Sequence, residues 1–301
     1  MPEASAHTTA WEFEATGTRW RLHHTGALDE TGALALAAAV GQDEARWSRF
    51  DPGSELSALN RRAGEWLEVS PPTLALLDTC TKWMAASGGV FTPLVGQALA
   101  AWGYGASLSA QAPYAERSPA PQPLLAALRV DRAGSRVWFP PGTALDLGGI
   151  GKGWMLGRAA EELSGLCSDP RLLIDAGGDL LAVSGEHAVA VESVAAETSG
   201  VAAWVTLSAG QAIATSGCGR RRWVNGDGHL AHHLLDPHTG APGPLVHATV
   251  VADDPAAADV MAKVLALRPA RAASCSYPVL LQCDGVCETN AAWSRVARRS
   301  G

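Results

Sequence analysis

Three stretches of this chain of 301 residues carry side chains that could bind or move charge. The first is Leu145-Asp146-Leu147-Gly148-Gly149-Ile150-Gly151-Lys152-Gly153. Its four glycines between positions 148 and 153 let backbone N–H groups approach a ligand with no Cβ in the way. The pattern predicts a turn entering a helix. The helix N-terminus would add partial positive charge and Lys152 a full one, which suits a phosphate. The same residues also serve a tight turn with a surface lysine. No Ser or Thr follows the lysine, so this is not a Walker A loop, and it is not GxGxxG. The second stretch, His229 to Gly240, reads HLAHHLLDPHTG, with four histidines and an aspartate. It invites a zinc reading. Neighbouring residues on a strand alternate faces, however, and Asp236 to Gly240 read as a turn, so these histidines would not converge on one tetrahedral ion. The third is a helix containing Asp259 and Lys263, which share a face at i and i+4 and so read as an ion pair.

Three weaker stretches accompany them. Asp175-Ala176-Gly177-Gly178-Asp179 reads as a glycine-adapted bend between strands. Thr215-Ser216-Gly217 is followed by Arg220, Arg221 and Arg222, which could face phosphate or form a solvated hairpin. In Ser48-Arg49-Phe50-Asp51-Pro52-Gly53-Ser54-Glu55-Leu56-Ser57-Ala58-Leu59-Asn60, turn chemistry precedes a serine that can cap a short helix.

The elements that must hold these residues follow from periodicity and punctuation. Residues 11–24 read as a strand interrupted at Gly17. Residues 29–46 read as a helix capped by Asp29. Ser70-Pro71-Pro72 opens a second helix, with serine as cap and proline in the first turn, which stops at Gly88-Gly89. Residues 105–126 read as a surface excursion. A strand running from Val137 toward Leu147 would lead through the glycine turn into a helix ending before Gly165. Further strands surround Gly177-Gly178 and cover AWVTL, QAIATSG and HATVVAD. Asp254-Pro255 starts the helix bearing Asp259, and the tail reads as a hairpin. Strands and helices mix without βαβ alternation, which predicts an α+β fold.

Bulk properties narrow the function. The chain is 47% hydrophobic and 18% charged, ample for a packed core. A net charge of −7 with no basic face argues against nucleic acid as a partner. The six cysteines are scattered with no CxxC pair, which predicts reduced thiols. Cys283 and Cys287 flank Asp-Gly-Val and could face each other across a hairpin. MPEASAHTTAWEFEATG has no basic start and no apolar run, so no signal peptide, no membrane insertion and a cytoplasmic location are expected.

Taken in order, the motifs resemble the ApbE family of FAD:protein FMN transferases. That family carries SExSxxN, a GxFDPTVGPL-like segment, LDLGGIAKG, GGD, TSG, HHIIDPxTGxP and ADALAT. The matches here are Ser54 to Asn60, Gly89 to Gly96, Leu145 to Gly153, Gly177-Gly178-Asp179, Thr215-Ser216-Gly217, His232 to Pro242 and Ala258-Asp259. Ala15-Thr16-Gly17-Thr18 also resembles the family's early MGT. The resemblance implies a single α+β domain over residues 11–301, related to T-fold proteins, behind a flexible stretch at residues 1–10. It implies FAD as substrate, a divalent metal, usually Mg²⁺, and transfer of FMN to a threonine hydroxyl of an acceptor flavoprotein with release of AMP. It places Thr16, Phe50, Thr92, Pro93, Leu94, Asp146, Lys152 and His233 at the FAD. Asp259, Lys152 and His233 become the catalytic residues, and Asp259 and the Gly149 carbonyl the metal contacts.

Three positions depart from the family pattern. The threonine that ends ADALAT, a metal ligand, is Lys263, and an ammonium has no lone pair to give. Thr92 and Leu94 replace the aspartate and threonine of FDPT. Gly157 replaces an aspartate in the helix after the lysine. Besides transfer with a changed metal site, these departures leave open a member that binds FAD or another nucleotide without transfer, or one that hydrolyses FAD to FMN and AMP.

Overall fold

The computed structural model describes residues 8–25, 30–104, 122–163, 170–194, 200–219, 222–225 and 227–298. The expected cap Asp29, Arg220, Arg221 and most of the 105–126 excursion lie outside the described residues, as does most of the N-terminal stretch. The described helices are α1 (Glu30–Trp47), α2 (Glu55–Arg61), α3 (Pro71–Ala86), α4 (Gly96–Ala101), α5 (Gly151–Leu163) and α6 (Pro255–Leu267). The chain forms two compact units. One comprises residues 1–44, 151–216 and 246–301, the other residues 45–150 and 217–245.

The first unit is built on an eight-stranded sheet. Its strands are β1 (Thr8–Ala15), β2 (Thr18–His24), β3 (Leu173–Ala176), β4 (Leu180–Ala182), β5 (Ala212–Ser216), β6 (His247–Ala252), β7 (Val279–Cys283) and β8 (Val286–Thr289). Their order across the sheet is their order along the chain, and every neighbour is antiparallel. A meander of this kind needs no right-handed crossover, which is why the sequence lacks βαβ alternation. Two of its turns are written in residue type. Thr16 and Gly17 have φ of 55° and 67°, and Asp284 and Gly285 have φ of 48° and 79°. Successive left-handed residues make the two-residue hairpin turn that matches strand twist. The expected interruption at Gly17 is therefore a hairpin.

The central strands are buried on both faces. Ile213 and Val251, opposite each other in register, join Val189, Val191, Val205 and Leu207 of the hairpin His187–Glu192/Val201–Leu207 in one apolar cluster. By alternation Ala212, Ala214, Val250 and Ala252 point the other way, and α6 packs against the same two strands. Small residues there let a helix lie close. Helix α6 is itself buried nearly all round, with Val260, Leu265, Ala258 and Ala262 at 0% exposure. Asp254 caps it by accepting from Ala256 N at 3.0 Å, and Pro255 fills the first turn as expected.

In the second unit, Leu67–Glu68, Arg136–Trp138 and Arg129–Asp131 form a three-stranded sheet, with α3 packed against the Arg129–Asp131 strand. Two short ribbons pair Arg222–Val224 with Leu230–His232 and Leu235–Asp236 with Ala241–Pro242. Two expectations need correction. The strand entering the glycine turn ends at Trp138 rather than near Leu147. Pro140 and Pro141 follow one residue later, and proline has no N–H for the ladder. Ser70 stands at the N-cap of α3 with extended backbone but makes no side-chain cap bond, and its hydroxyl donates to Glu55 instead.

The cysteine expectation also changes. Across the last hairpin Gln282 faces Cys287 and Cys283 faces Val286. Cys283 and Cys287 therefore point to opposite faces and cannot bond to each other, and both are free thiols.

Candidate active site

The SExSxxN match proves to be scaffolding for Asp146. Ser54 Oγ accepts from Ser57 N at 3.0 Å, capping α2, and donates to the Ser48 carbonyl at 2.6 Å. Glu55 accepts from Ser70 N at 2.6 Å and from the Ser70 and Thr73 hydroxyls at 2.7 Å each, which ties α2 to the start of α3. Thr73, fully buried, also accepts from Trp47 Nε1 at 2.8 Å. Asn60 then reaches across 85 residues. Its Nδ2 donates to the Leu145 carbonyl at 2.9 Å, and Leu145 N donates to its Oδ1 at 2.7 Å. One side-chain amide thus holds both backbone groups of the residue before Asp146.

Asp146 is fixed at its N–H and at both carboxylate oxygens. Its N–H donates to the Pro93 carbonyl at 2.7 Å, Oδ1 accepts from Gly148 N at 2.8 Å, and Oδ2 lies 2.9 Å from Arg49 Nε. Asp146 therefore sits on an irregular segment pinned from three sides, not at a strand end. The contact with Pro93 joins it to the Thr92-Pro93-Leu94 segment. There Thr92 Oγ1 accepts from Leu94 N at 3.2 Å, and both side chains are buried.

Arg49 is a residue the sequence reading passed over. Its guanidinium lies 4.5 Å from the Phe50 ring centroid and 4.6 Å from that of Tyr104, and Nη2 donates to the Tyr104 carbonyl at 3.1 Å. Tyr104 stacks on Trp223 at 5.8 Å and 10°, and His233 tilts against Tyr104 at 6.2 Å. Phe50 and His233, both expected at the flavin, thus belong to one run of planar groups with Arg49 and Tyr104 between them. Phe50 is 38% exposed, an aromatic face left toward solvent. A lone Arg-Phe pair gives no periodic signal, and only the long-range contact to Asp146 singles it out.

The remaining histidines divide by environment. His232 is 1% exposed. Its Nδ1 accepts from Leu234 N at 3.3 Å, so Nε2 carries the proton and donates to the Gly243 carbonyl at 3.0 Å. Burial pulls its pKa down, against the bond to Gly243. His238 Nε2 lies 3.2 Å from the Gly88 carbonyl. Asp236 shapes the turn, accepting from His238 N at 2.9 Å on its side chain and from Gly240 N at 2.7 Å on its carbonyl. Among the described residues no group of three or more His, Cys, Asp or Glu could hold a metal ion.

The first unit holds Thr16, Lys152 and Asp259. Thr16 takes a left-handed backbone that is strained for a β-branched side chain, and its N–H donates to Glu44 Oε1 at 2.7 Å. Lys152, in the first turn of α5, is ion-paired with Asp179 of the Gly-Gly-Asp turn. Asp179 is 3% exposed, and its other oxygen accepts from Thr215 N at 3.3 Å. Three separate motifs, the lysine, GGD and TSG, therefore meet at one carboxylate.

Asp259 is 1% exposed, and both of its carboxylate oxygens are engaged. Oδ1 pairs with Lys263 Nζ one turn along α6, and Oδ2 accepts from Gly153 N at 3.0 Å. The last glycine of the loop is required here. A Cβ at position 153 would lie 2.3 Å from the Pro255 carbonyl and 2.8 Å from Asp259 Cβ. The same close approach closes the Oδ2 side of the carboxylate with backbone. Gly149, the other expected metal contact, lies in the turn before α5 and belongs to the second unit. The donors at Asp259 do not fit a divalent cation, since the neighbouring group is an ammonium with no lone pair and a like charge.

The ApbE family model matches residues 16–275. The FAD:protein FMN transferase of Rhodobacter capsulatus is 30% identical over 275 residues, covering 87% of this chain and 52% of that protein. The FAD:protein FMN transferase of Treponema pallidum (strain Nichols) is 31% identical over 244 residues, covering 72% and 63%. The chain thus spans between half and two thirds of the length of these curated relatives. The crystal structure of the ApbE protein from Thermotoga maritima superposes with a TM-score of 0.84 at 24% identity, covering 98% of this chain and 100% of that one. The apo form of the Pseudomonas stutzeri flavinyl transferase ApbE gives 0.76 at 19%, covering 96% and 97%.

Proposed function

The chain belongs to the ApbE family, and on that premise we propose that it is an FAD:protein FMN transferase. In this reading a threonine hydroxyl of an acceptor flavoprotein attacks the FMN phosphorus of FAD. A phosphoester bond to the threonine oxygen forms, the anhydride bond breaks, AMP leaves, and the hydroxyl proton is released. The observation that carries the proposal is the fixing of Asp146, with Arg49, Asn60 and Gly148 holding it inside the motif that resembles the family's LDLGGIAKG.

The residue roles follow the family resemblance. Asp146 and His233 hydrogen-bond the nucleotide, and Phe50 offers it an aromatic face. Thr16 and the Thr92-Pro93-Leu94 segment complete the flavin contacts. Lys152 supplies positive charge to the transferred phosphoryl, where stabilisation of developing charge counts most. The resemblance assigns Asp259 the proton of the incoming hydroxyl, a role open to it only where Lys263 leaves Oδ1. A net charge of −7 leaves FAD to be held by local groups, not by a general field. Among the described residues no helix is long and apolar enough to cross a membrane. We place the acceptor in the cytoplasm.

The test is to incubate the protein with FAD and an acceptor carrying a target threonine. Covalent flavin fluorescence should survive denaturing electrophoresis, with AMP released in equal amount. The Asp259–Lys263 pair favours one second reading, a member that binds FAD without transferring FMN. FAD binding with no labelling by the wild type, and labelling by Lys263→Thr, would establish that reading instead. AMP and free FMN appearing without an acceptor would mark a hydrolase.

A further inference from the structure

We infer that Lys263 is a built-in cation: its ammonium stands where a divalent metal would otherwise balance Asp259, so this chain needs no metal there and binds none. The functional meaning rests on the transferase reading, while the physical content does not.

Three observations carry it. Asp259 is 1% exposed, so its carboxylate needs a compensating positive charge. Lys263 provides one from the same helix, ion-paired to Oδ1, with Nζ also 3.4 Å from the Asp259 carbonyl. The Lys263 side chain is itself only 15% exposed, so it is not a solvated tip that swings away at no cost. The second oxygen is closed as well. Gly153 N donates to it at 3.0 Å, and the α5 backbone lies too near for even a methyl group. A magnesium ion needs near-octahedral oxygen ligation at about 2.0–2.1 Å. To reach Asp259 Oδ1 it would have to displace a like charge and find a substitute for a side chain that offers no lone pair.

The experiment is calorimetric titration of the EDTA-treated full chain with MgCl₂, without FAD, for wild type, Lys263→Thr and Lys263→Met. Circular dichroism confirms that each variant is folded. Wild type should give no saturable binding. Lys263→Thr, which frees Oδ1 and adds a hydroxyl oxygen, should bind Mg²⁺ at least about tenfold more tightly than wild type. Lys263→Met frees the carboxylate without adding a donor and should fall between the two. Saturable Mg²⁺ binding by wild type overturns the inference, as does a folded Lys263→Thr that gains nothing. If Lys263→Thr does not fold, wild type and Lys263→Met decide by the same comparison. A parallel titration of wild type with FAD should give the same affinity with EDTA and with excess Mg²⁺, and a Mg²⁺-dependent tightening of about tenfold or more also overturns it. Failure to bind FAD at all would count against the transferase reading and leave the metal titration standing.

Discussion

Arg49 offers a direct test of how the nucleotide site is held. Its side chain and that of Asp146 are 14% and 9% exposed, with Nε and Oδ2 at 2.9 Å. Replacing Arg49 with Gln removes the charge and strands a largely buried carboxylate, whose remaining partner is Gly148 N. Breaking a buried pair from one side costs about 3–5 kcal/mol. Residual exposure and the Gly148 bond place this case near the lower end, and loss of the contacts with Phe50 and Tyr104 adds about 0.5–1 kcal/mol. A total of roughly 3–4 kcal/mol corresponds to a fall in Tm of about 5–6 °C for a chain this long. FAD affinity, followed by quenching of flavin fluorescence, should weaken at least about tenfold, because Asp146 and Phe50 both lose the group that orients them. The double variant Arg49→Gln with Asp146→Asn carries the decisive sign. Removing the stranded charge should restore about 2 kcal/mol relative to Arg49→Gln alone. Strictly additive losses would refute the claim that Arg49 acts on Asp146.

Two further outcomes follow from the same geometry. Gly153→Ala forces a Cβ to within 2.3 Å of the Pro255 carbonyl and 2.8 Å of the Ala256 Cα, which as backbone cannot yield, so α5 and α6 must part. Overpacking plus loss of the bond to Asp259 should cost about 3–4 kcal/mol, read as a Tm lower by about 5–6 °C. Gly157→Ala in the same helix meets only Pro255 Cγ at 3.5 Å and should be neutral or stabilising, so equal melting temperatures for the two variants would contradict this packing. His232 has a folded-state pKa lowered from 6.5 by burial, so the unfolded chain takes up its proton first as pH falls. Its contribution is therefore full above pH 6.5 and is lost as pH falls from there toward the lower folded value. Thermal melts of wild type across that window should steepen relative to His232→Gln, and parallel curves would remove His232 as the cause.

Local chemistry was legible in the sequence and long-range pairing was not. The Asp254-Pro255 start of α6, the glycine turn into α5 and the last hairpin were readable because each depends on neighbours in the chain. The order of the motifs pointed to the family. Their partners stayed hidden. Asn60 and Leu145 are 85 residues apart, and nothing in either segment states that one amide will clamp the other's backbone. Lys152 read as a cation offered to a ligand, whereas Asp179 from another motif already holds it in the first unit. Ser70 read as a cap until Glu55 claimed its hydroxyl. The strand predicted to run on to Leu147 stopped because two prolines outweighed the apolar pattern around them. In each case a residue type was correct and its partner was decided by packing that spacing does not encode.

Lysine at position 263 illustrates the same limit, and also why that residue type is informative. Among replacements for a metal-ligating threonine, most would leave Asp259 buried with a bare charge. Methionine or alanine would strand it outright, at a cost of several kcal/mol. A hydroxyl alone can donate one hydrogen bond but carries no charge. Lysine at i+4 removes a ligand and supplies a cation in the same step, with the acid N-terminal to the base as a helix prefers. The consequence reaches stability as well as binding. A chain that binds a metal gains about 1.4 kcal/mol for each tenfold excess of metal over its Kd. This one has nothing to gain, so its melting temperature should be the same in EDTA and in excess Mg²⁺. Lys263→Thr should melt lower than wild type in EDTA and recover as Mg²⁺ is added. A wild-type melting curve that moves with Mg²⁺ would mean that the ammonium yields its place to the ion.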